Sequence, residues 1–424
     1  MDEPDEIVPF ERLGFEDLRA LKSLAAELFS PRTPIDTSEL FAGRFPQLTK
    51  LDNAIRQAGA HVIIYGERGV GKTSLANISP AIFSVFSKIE PGLIVAPMRV
   101  NCDGTDTYHT IWSKVFSSIH ISESRLPIGF LSVPENVRSS LLDQIAGEGE
   151  FTPGTVLDTL KEISNERHVI ITLDEFDRIE SNEVTSLIAD TVKSLSDHRV
   201  QTTLQIVGVG DSVATLVEEH ESVGRHLVEI PLPRMEQDEL RKIVTDRLPK
   251  ISTMEITEDA IEFIALVSAG LPYFMHLLSQ HAVCMAIDAS TASISRAHAD
   301  EAVKCAIDDS EREMKQAYYK ATQSRHPKSS FRFTLAACAL ATRDEFGYFT
   351  ASDIRDSMAR IKGTTPKIAS FHTHLERFCS VDFGGILHVT GSKHNKRYRF
   401  RNPLMQPFVI IKSLADSVID DSHI

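Results

Sequence analysis

The sequence predicts an α/β fold: a parallel sheet built around a glycine-rich loop, a small all-helical lid after it, and a C-terminal module of three helices and a β-hairpin. Three observations predict it. A strand, a glycine loop and a helix follow one another over residues 61–75. Two further apolar strands run into polar residues, at Asp174 and after Val209. The charge balance then reverses sign near residue 310.

The loop comes first because the other elements are arranged about it. Val62 to Tyr65 form a short buried strand. Gly66-Glu67-Arg68-Gly69-Val70-Gly71-Lys72-Thr73 matches the G-x-x-x-x-G-K-[ST] pattern in full, and an apolar-periodic helix follows from Ser74. Glycines let the backbone turn its N–H groups inward around a polyphosphate, and the helix start adds unpaired N–H groups and partial positive charge. Residues 66–74 are therefore the candidate nucleotide contacts. Lys72 is placed to neutralise β/γ-phosphate oxygens and Thr73 to ligate Mg²⁺. A chance Gly-rich turn, the bland alternative, would not come with both the flanking strand and the flanking helix.

A chain of 424 residues has room for about two or three domains. The five cysteines are scattered, with no C-x-x-C pair and no His at ligand spacing. Reduced thiols in a cytoplasmic protein are expected, with neither a disulfide framework nor a zinc site. Residues 1–6 are acidic and lack the apolar core of a signal peptide, and no apolar run approaches a membrane span. The net charge of −14 argues against a nucleic-acid binder until the chain is divided. Residues 1–309 carry 27 Lys and Arg against 48 Asp and Glu, whereas residues 310–412 carry 18 against 8. An acidic body with a basic module is the asymmetry of a protein one part of which meets a polyanion.

In chain order, Leu13, Leu18, Leu21, Leu24 and Leu28 put a helix over residues 10–29, which Ser30-Pro31-Arg32-Thr33-Pro34 breaks. A helix over residues 46–58 leads into the loop. A second strand is expected within residues 93–102 and a helix over 108–119. Residues 121–154 show weak periodicity and read as an irregular insertion before a helix over 156–166.

Val169-Ile170-Ile171-Thr172-Leu173 is an apolar strand ending in Asp174-Glu175. Adjacent carboxylates at a strand end suit Mg²⁺-dependent hydrolysis of a phosphoanhydride. Asp174 is placed to hold a metal-bound water near Thr73, and Glu175 to orient and polarise the attacking water. Alone the pair is an ordinary solvated strand end; downstream of a complete phosphate loop it gains weight. The strand over residues 203–209 ends in Gly210-Asp211-Ser212, where a polar side chain would lie between the two motifs. Asp211 is the first candidate to sense the γ-phosphate and Ser212 the second, with capping of the next helix as the alternative. Arg225 precedes a strand over residues 227–231 and reads either as an arginine finger for a neighbouring subunit or as a surface arginine.

Together the phosphate loop, Asp174-Glu175, the polar strand end and Arg225 resemble the AAA+ ATPases. More narrowly they are similar to the initiator (origin-recognition-like) clade and its STAND-like relatives. Leu40-Phe41-Ala42-Gly43-Arg44 looks like the hydrophobic-Gly-Arg element of those proteins, which implies that Gly43 and Arg44 lie near the adenine. Where the initiators carry a lid arginine, this chain has Ala269-Gly270-Leu271-Pro272-Tyr273-Phe274. That Gly-Leu-Pro is similar to the STAND element set against the nucleotide. It implies a nucleotide contact at Pro272 and slow, switch-like ATP turnover.

The resulting division is an N-terminal helical extension (1–35), a P-loop AAA+ core with a parallel sheet (36–235), an α-helical lid (236–309) and a winged-helix domain (310–424). In the last, apolar helices are expected over residues 331–341, 350–361 and 366–378, followed by a hairpin. Tyr398 and Phe400 alternate with Arg397, Arg399 and Arg401, giving a half-buried strand with one cationic face. With Lys393 and Lys396 these are the candidate DNA contacts; a solvated face or a protein-docking wing is the alternative. The function expected is an ATPase that uses ATP and Mg²⁺, forms homo-oligomers and binds double-stranded DNA, in replication, mobile-element control or phage defence. The alternative is a nucleotide-gated scaffold docking a protein partner or effector.

Overall fold

The computed structural model describes residues 14–86, 94–125, 135–145, 149–165, 167–209, 221–251, 254–324, 330–344, 347–392 and 395–424. Its strands are β1 (His61–Gly66), β2 (Ile94–Asn101), β3 (His120–Arg125), β4 (Glu135–Ser140), β5 (Arg167–Asp174), β6 (Thr202–Gly208), β7 (Leu227–Leu232), β8 (Glu255–Ile256), β9 (Ser293–Ile294), β10 (Phe349–Thr350), β11 (Leu387–Thr390) and β12 (Arg397–Phe400).

Five of these form one sheet in the order β2-β5-β6-β1-β7, with every neighbouring pair parallel. A parallel sheet needs helices on both faces, and the side chains of its strands divide accordingly. Val62, Ile64, Ile170 and Val207 join one apolar core, and Ile63, Ile171, Leu204 and Ile206 join the other. The second core is closed by Trp112, Val115 and Phe116 from the helix Tyr108–Ser117 and by Ile188 and Val192 from Asn182–Asp197. On the central strand, buried Gln205 bonds Thr172 (3.4 Å) and Ser79 (2.6 Å), tying β5, β6 and the helix Lys72–Phe86 together.

The expected strands and helices of residues 14–209 are present, with one correction. Residues 121–154 are not irregular throughout: β3 and β4 pair as an antiparallel ribbon, and a short helix, Leu141–Ile145, follows. Ser122-Glu123-Ser124-Arg125 and Asn136-Val137-Arg138-Ser139 hold too few apolar residues for alternation to appear in the sequence.

The lid consists of the helices Gln237–Thr245, Glu258–Val267, Pro272–Asp288 and Arg296–Asp309. The helix Arg312–Thr322 follows, and then Phe331–Ala339, Ala351–Lys362 and His372–Cys379. Thr350 caps the second of these three, its hydroxyl accepting from the Asp353 N–H at 3.3 Å. A three-stranded antiparallel sheet, β10-β12-β11, stands beside them. A further helix, Met405–Ala415, was not expected from the sequence. It packs on the lid and on the C-terminal helices, so the first apolar core runs unbroken from the sheet through the lid to Phe408 and Ile411.

Candidate nucleotide site

The phosphate loop leaves β1 at Gly66, which lies so close to β7 that any side chain there would meet the Leu232 carbonyl oxygen at 2.3 Å. The chain turns through Gly69 and Gly71 and enters the helix Lys72–Phe86. Lys72 Nζ donates back to the carbonyls of Gly66 (3.0 Å) and Glu67 (2.8 Å). Burial lowers its pKa below the ordinary lysine value, while the carboxylates of Asp177, Asp174 and Glu67 oppose that shift.

Strand order brings the second motif to the first. β5 lies two places from β1, and Thr73 Oγ1 donates to Asp174 Oδ2 at 2.9 Å. Asp174 is buried and also accepts from Arg99 Nη2 at 2.8 Å. Glu175 adopts a left-handed backbone conformation (φ 55°), and its N–H closes onto Asp174 Oδ1 at 2.9 Å. Its carboxylate turns outward, where Oε2 pairs with Arg178 at 2.9 Å. Asp177 anchors the end of the central strand by accepting from the Val209 N–H at 3.1 Å. Asp211 falls outside the described residues, although β6 does end between the phosphate loop and Asp174.

These groups surround a cavity of about 540 Å³, lined by Arg68 to Ser74, Asp174, Glu175, Pro272, Tyr273, His276 and the connecting segment Ser30–Ile35. The volume falls within the usual range for small-molecule sites. Thr73 and Asp174 present a hydroxyl and a carboxylate side by side, hard oxygen donors of the kind Mg²⁺ accepts alongside phosphate oxygens.

Of the other expected nucleotide contacts, Arg44 lines the cavity but its guanidinium is committed to backbone carbonyls, Pro233 at 2.5 Å and Val70 at 3.4 Å. Gly43 lies outside the lining and packs on Glu239. The Glu67 side chain is held by Arg234 at 2.6 Å and is likewise outside the lining. Arg225 sits just before β7, at the end of the sheet where β1 begins, and donates to His226 at 3.0 Å. One strand, about 20 Å at the usual rise, separates it from its own phosphate loop. On β12, Tyr398 and Phe400 are buried and Arg397, Arg399 and Arg401 are not. Arg397 pairs with Asp344 at 3.3 Å and lies over Tyr348, as does Arg399, while Arg401 bonds the carbonyls of Leu387 and Cys379. Lys396 is half-buried, and Lys393 falls outside the described residues.

Several site residues were not singled out from the sequence. Arg99 gave a usable signal, since an arginine inside an apolar strand needs a carboxylate near it. Arg247 and His276 wall the far side of the cavity. Arg247 is fully buried, and its guanidinium donates to the carbonyls of Leu28, Leu40 and Ile243. His276 is buried, and burial together with the Arg247 charge pushes its pKa down to about 3, so it is neutral at pH 7.

No family model matches the chain, and no curated protein matches it. Solved structures do resemble it. The Aeropyrum pernix ORC1 protein, solved in complex with DNA, is 15% identical, with 92% of this chain and 97% of that chain covered at a TM-score of 0.48. Cdc6p from Pyrobaculum aerophilum is 17% identical, with 92% and 98% covered at 0.46. A Walker-type ATPase of Pyrococcus abyssi is 15% identical, with 90% and 99% covered at 0.48. At such identities these are likenesses of chain path, and the chemistry of the cavity rests on its own residues.

Proposed function

We propose that the chain binds ATP with Mg²⁺ and hydrolyses it slowly, and that nucleotide state sets how the C-terminal module is held, and through it assembly and double-stranded DNA binding. The observation that supports the coupling is a joint between the phosphate loop and that module. Arg234 pairs with Glu67 of the loop and also bonds Gln406 of the last helix. A methyl group at Gly347 would meet Glu67 Oε1 at 2.2 Å, and one at Gly69 would meet Leu404 at 2.8 Å. Any shift of the loop around a triphosphate therefore presses directly on residues 347 and 404–406. The units in this reading are an extension (1–35), an ATPase core (36–235), a lid (236–309) and a winged helix (310–424).

Bound Mg²⁺ supplies charge neutralisation at the phosphate oxygens, with Thr73 and Asp174 as the side chains that would hold it. The loop N–H groups donate to the polyphosphate oxygens, and Lys72 exchanges its two carbonyl partners for phosphate oxygens. Glu175 leaves Arg178 to orient the attacking water, and Asp211 reads the γ-phosphate. Arg225, too far from its own loop, acts on the nucleotide of a neighbouring copy.

The DNA reading rests on the basic balance of residues 310–412 and on the exposed face of β12. A second reading, a docked protein partner, draws on the commitment of Arg397 and Arg401 to their own chain and on exposed Val381, Phe383 and Val389 beside the hairpin. Fluorescence polarisation with duplex DNA across a salt series separates the two. Under the DNA reading affinity falls steeply with salt and depends on nucleotide. Absence of any salt-sensitive binding selects the protein partner.

A further inference from the structure

Among the described residues the lid brings one arginine to the cavity, Arg247, and the side chain at the start of the lid's third helix is Tyr273. Among the described residues six cations line the cavity: Arg32, Arg44, Arg68, Lys72, Arg178 and Arg247. Arg44 and Arg247 are bound to backbone carbonyls, Arg178 to Glu175, and Arg68 to Glu311 at 3.6 Å. Lys72 is the lysine of the phosphate loop. Arg32 differs from all of these. It is exposed, makes no ion pair among the described residues, touches the Asp309 carbonyl at a long 3.4 Å, and lies near enough to Tyr273 for its charge to act on the phenol.

Its backbone is nonetheless fixed. Residues 28–40 form a strap that runs from the end of the first helix through bends at 31–33 to a 3₁₀ turn at Ser38–Leu40, stiffened by Pro31 and Pro34, with Ser30 to Ile35 against the cavity. Both ends hang from one lid guanidinium, because Arg247 donates to Leu28 O and to Leu40 O. In between, the Ile35 N–H donates to Ser74 Oγ at 3.1 Å, at the start of the phosphate-loop helix. Tyr273, near Arg32, has its Cβ 3.9 Å from where a Cβ on Gly69 would sit. A cation without a carboxylate partner, on a segment pinned at three points, is thereby held beside the loop that would carry the phosphates.

We propose that Arg32 is a polyphosphate-binding residue acting in cis, supplying from the N-terminal strap an uncommitted cation where the lid's own lining arginine, Arg247, is held by backbone carbonyls. The proposal rests on the nucleotide reading given above. On binding, the guanidinium turns from Tyr273 and Asp309 toward the phosphate oxygens, where its fork of donors matches paired anionic oxygens.

The test is titration of the full chain with fluorescent ATP, ADP and AMP analogues in the presence of Mg²⁺, for wild type, Arg32→Ala and Tyr273→Phe. Arg32→Ala is expected to weaken ATP binding about tenfold, the loss expected of one charge-assisted contact. The loss should shrink with ADP and vanish with AMP, and the melting temperature without nucleotide should be unchanged. Tyr273→Phe, which removes only the hydroxyl beside the arginine, should bind ATP at least as well as wild type. An Arg32→Ala chain that matches wild type for ATP, or that loses ATP and AMP equally, overturns the proposal while leaving the nucleotide site in place. A wild-type chain that binds none of the three overturns the nucleotide reading itself, and this proposal with it.

Discussion

Replacing Glu67 by glutamine removes one negative charge from the joint between the phosphate loop and the C-terminal module. Glu67 is the carboxylate between two guanidinium groups. Arg234 pairs with it at 2.6 Å, and Arg343 is so buried that its pKa is pushed down to about 9, an effect that the Arg234 charge deepens and the Glu67 charge relieves. Without the carboxylate, the acceptors left to both cations among the described residues are neutral. Breaking a fully buried pair costs about 3–5 kcal/mol. Here the Glu67 and Arg234 side chains are 20% and 22% exposed, so a cost of about 2–3 kcal/mol is the reasonable figure. If that cost falls on the joint, the released arrangement of the C-terminal module gains roughly 30- to 150-fold in population. Hydrogen exchange over residues 403–415 reads the release directly, and the dissociation rate of a fluorescent nucleotide reads its effect on the loop. Faster exchange of that helix together with faster nucleotide release is expected. Wild-type protection of the helix in Glu67→Gln would refute the coupling, whatever happened to ATP turnover.

Glu175→Gln should retain ATP and slow phosphate release by about a hundredfold or more, because only the water-orienting oxygen is lost; this is checked by single-turnover kinetics beside binding. Arg225→Ala should leave ATP affinity intact and abolish any rise of specific activity with protein concentration. Turnover that is independent of concentration in both chains would remove the neighbouring-subunit role. His61 is fully buried at the start of β1, and burial pushes its pKa down to about 3. A folded-state pKa below the unfolded value means that the unfolded chain takes up the proton first. Stability is then fully present above about pH 6.5 and is lost progressively as pH falls toward 3. Denaturant midpoints measured between pH 7 and pH 4 should fall for wild type and fall less for His61→Asn.

The core of the site was legible because its chemistry is local in sequence. Gly66 to Thr73 carry their own fold, and an apolar strand ending in Asp174-Glu175 fixes which end of the sheet it must reach. What could not be read were partners distant in sequence. Arg99 meets Asp174 across neighbouring strands, and Arg247 reaches back to Leu28 and Leu40. Glu67 looked like a loop residue facing the nucleotide, yet its partner is Arg234, after the last strand of the sheet. The helix Met405–Ala415 escaped because its run Phe408-Val409-Ile410-Ile411 is apolar on every side and shows no helical period. All four of those residues are buried, which explains the missing pattern. The alternation on β12 was readable, but the ion pair and ring contacts that occupy Arg397 come from residues 344 and 348.

The double attachment of residues 28 and 40 to Arg247 bears on how quickly a ligand can come and go. A roof hinged on the lid cannot lift while the lid stays seated, so the two barriers become one. Dwell time inside the cavity is then set by an opening of the helical cap that works against two carbonyl bonds from the strap to a single side chain. Tight retention needs no unusually strong grip on the ligand itself, and loosening that one arginine would shorten the stay without altering a single phosphate contact.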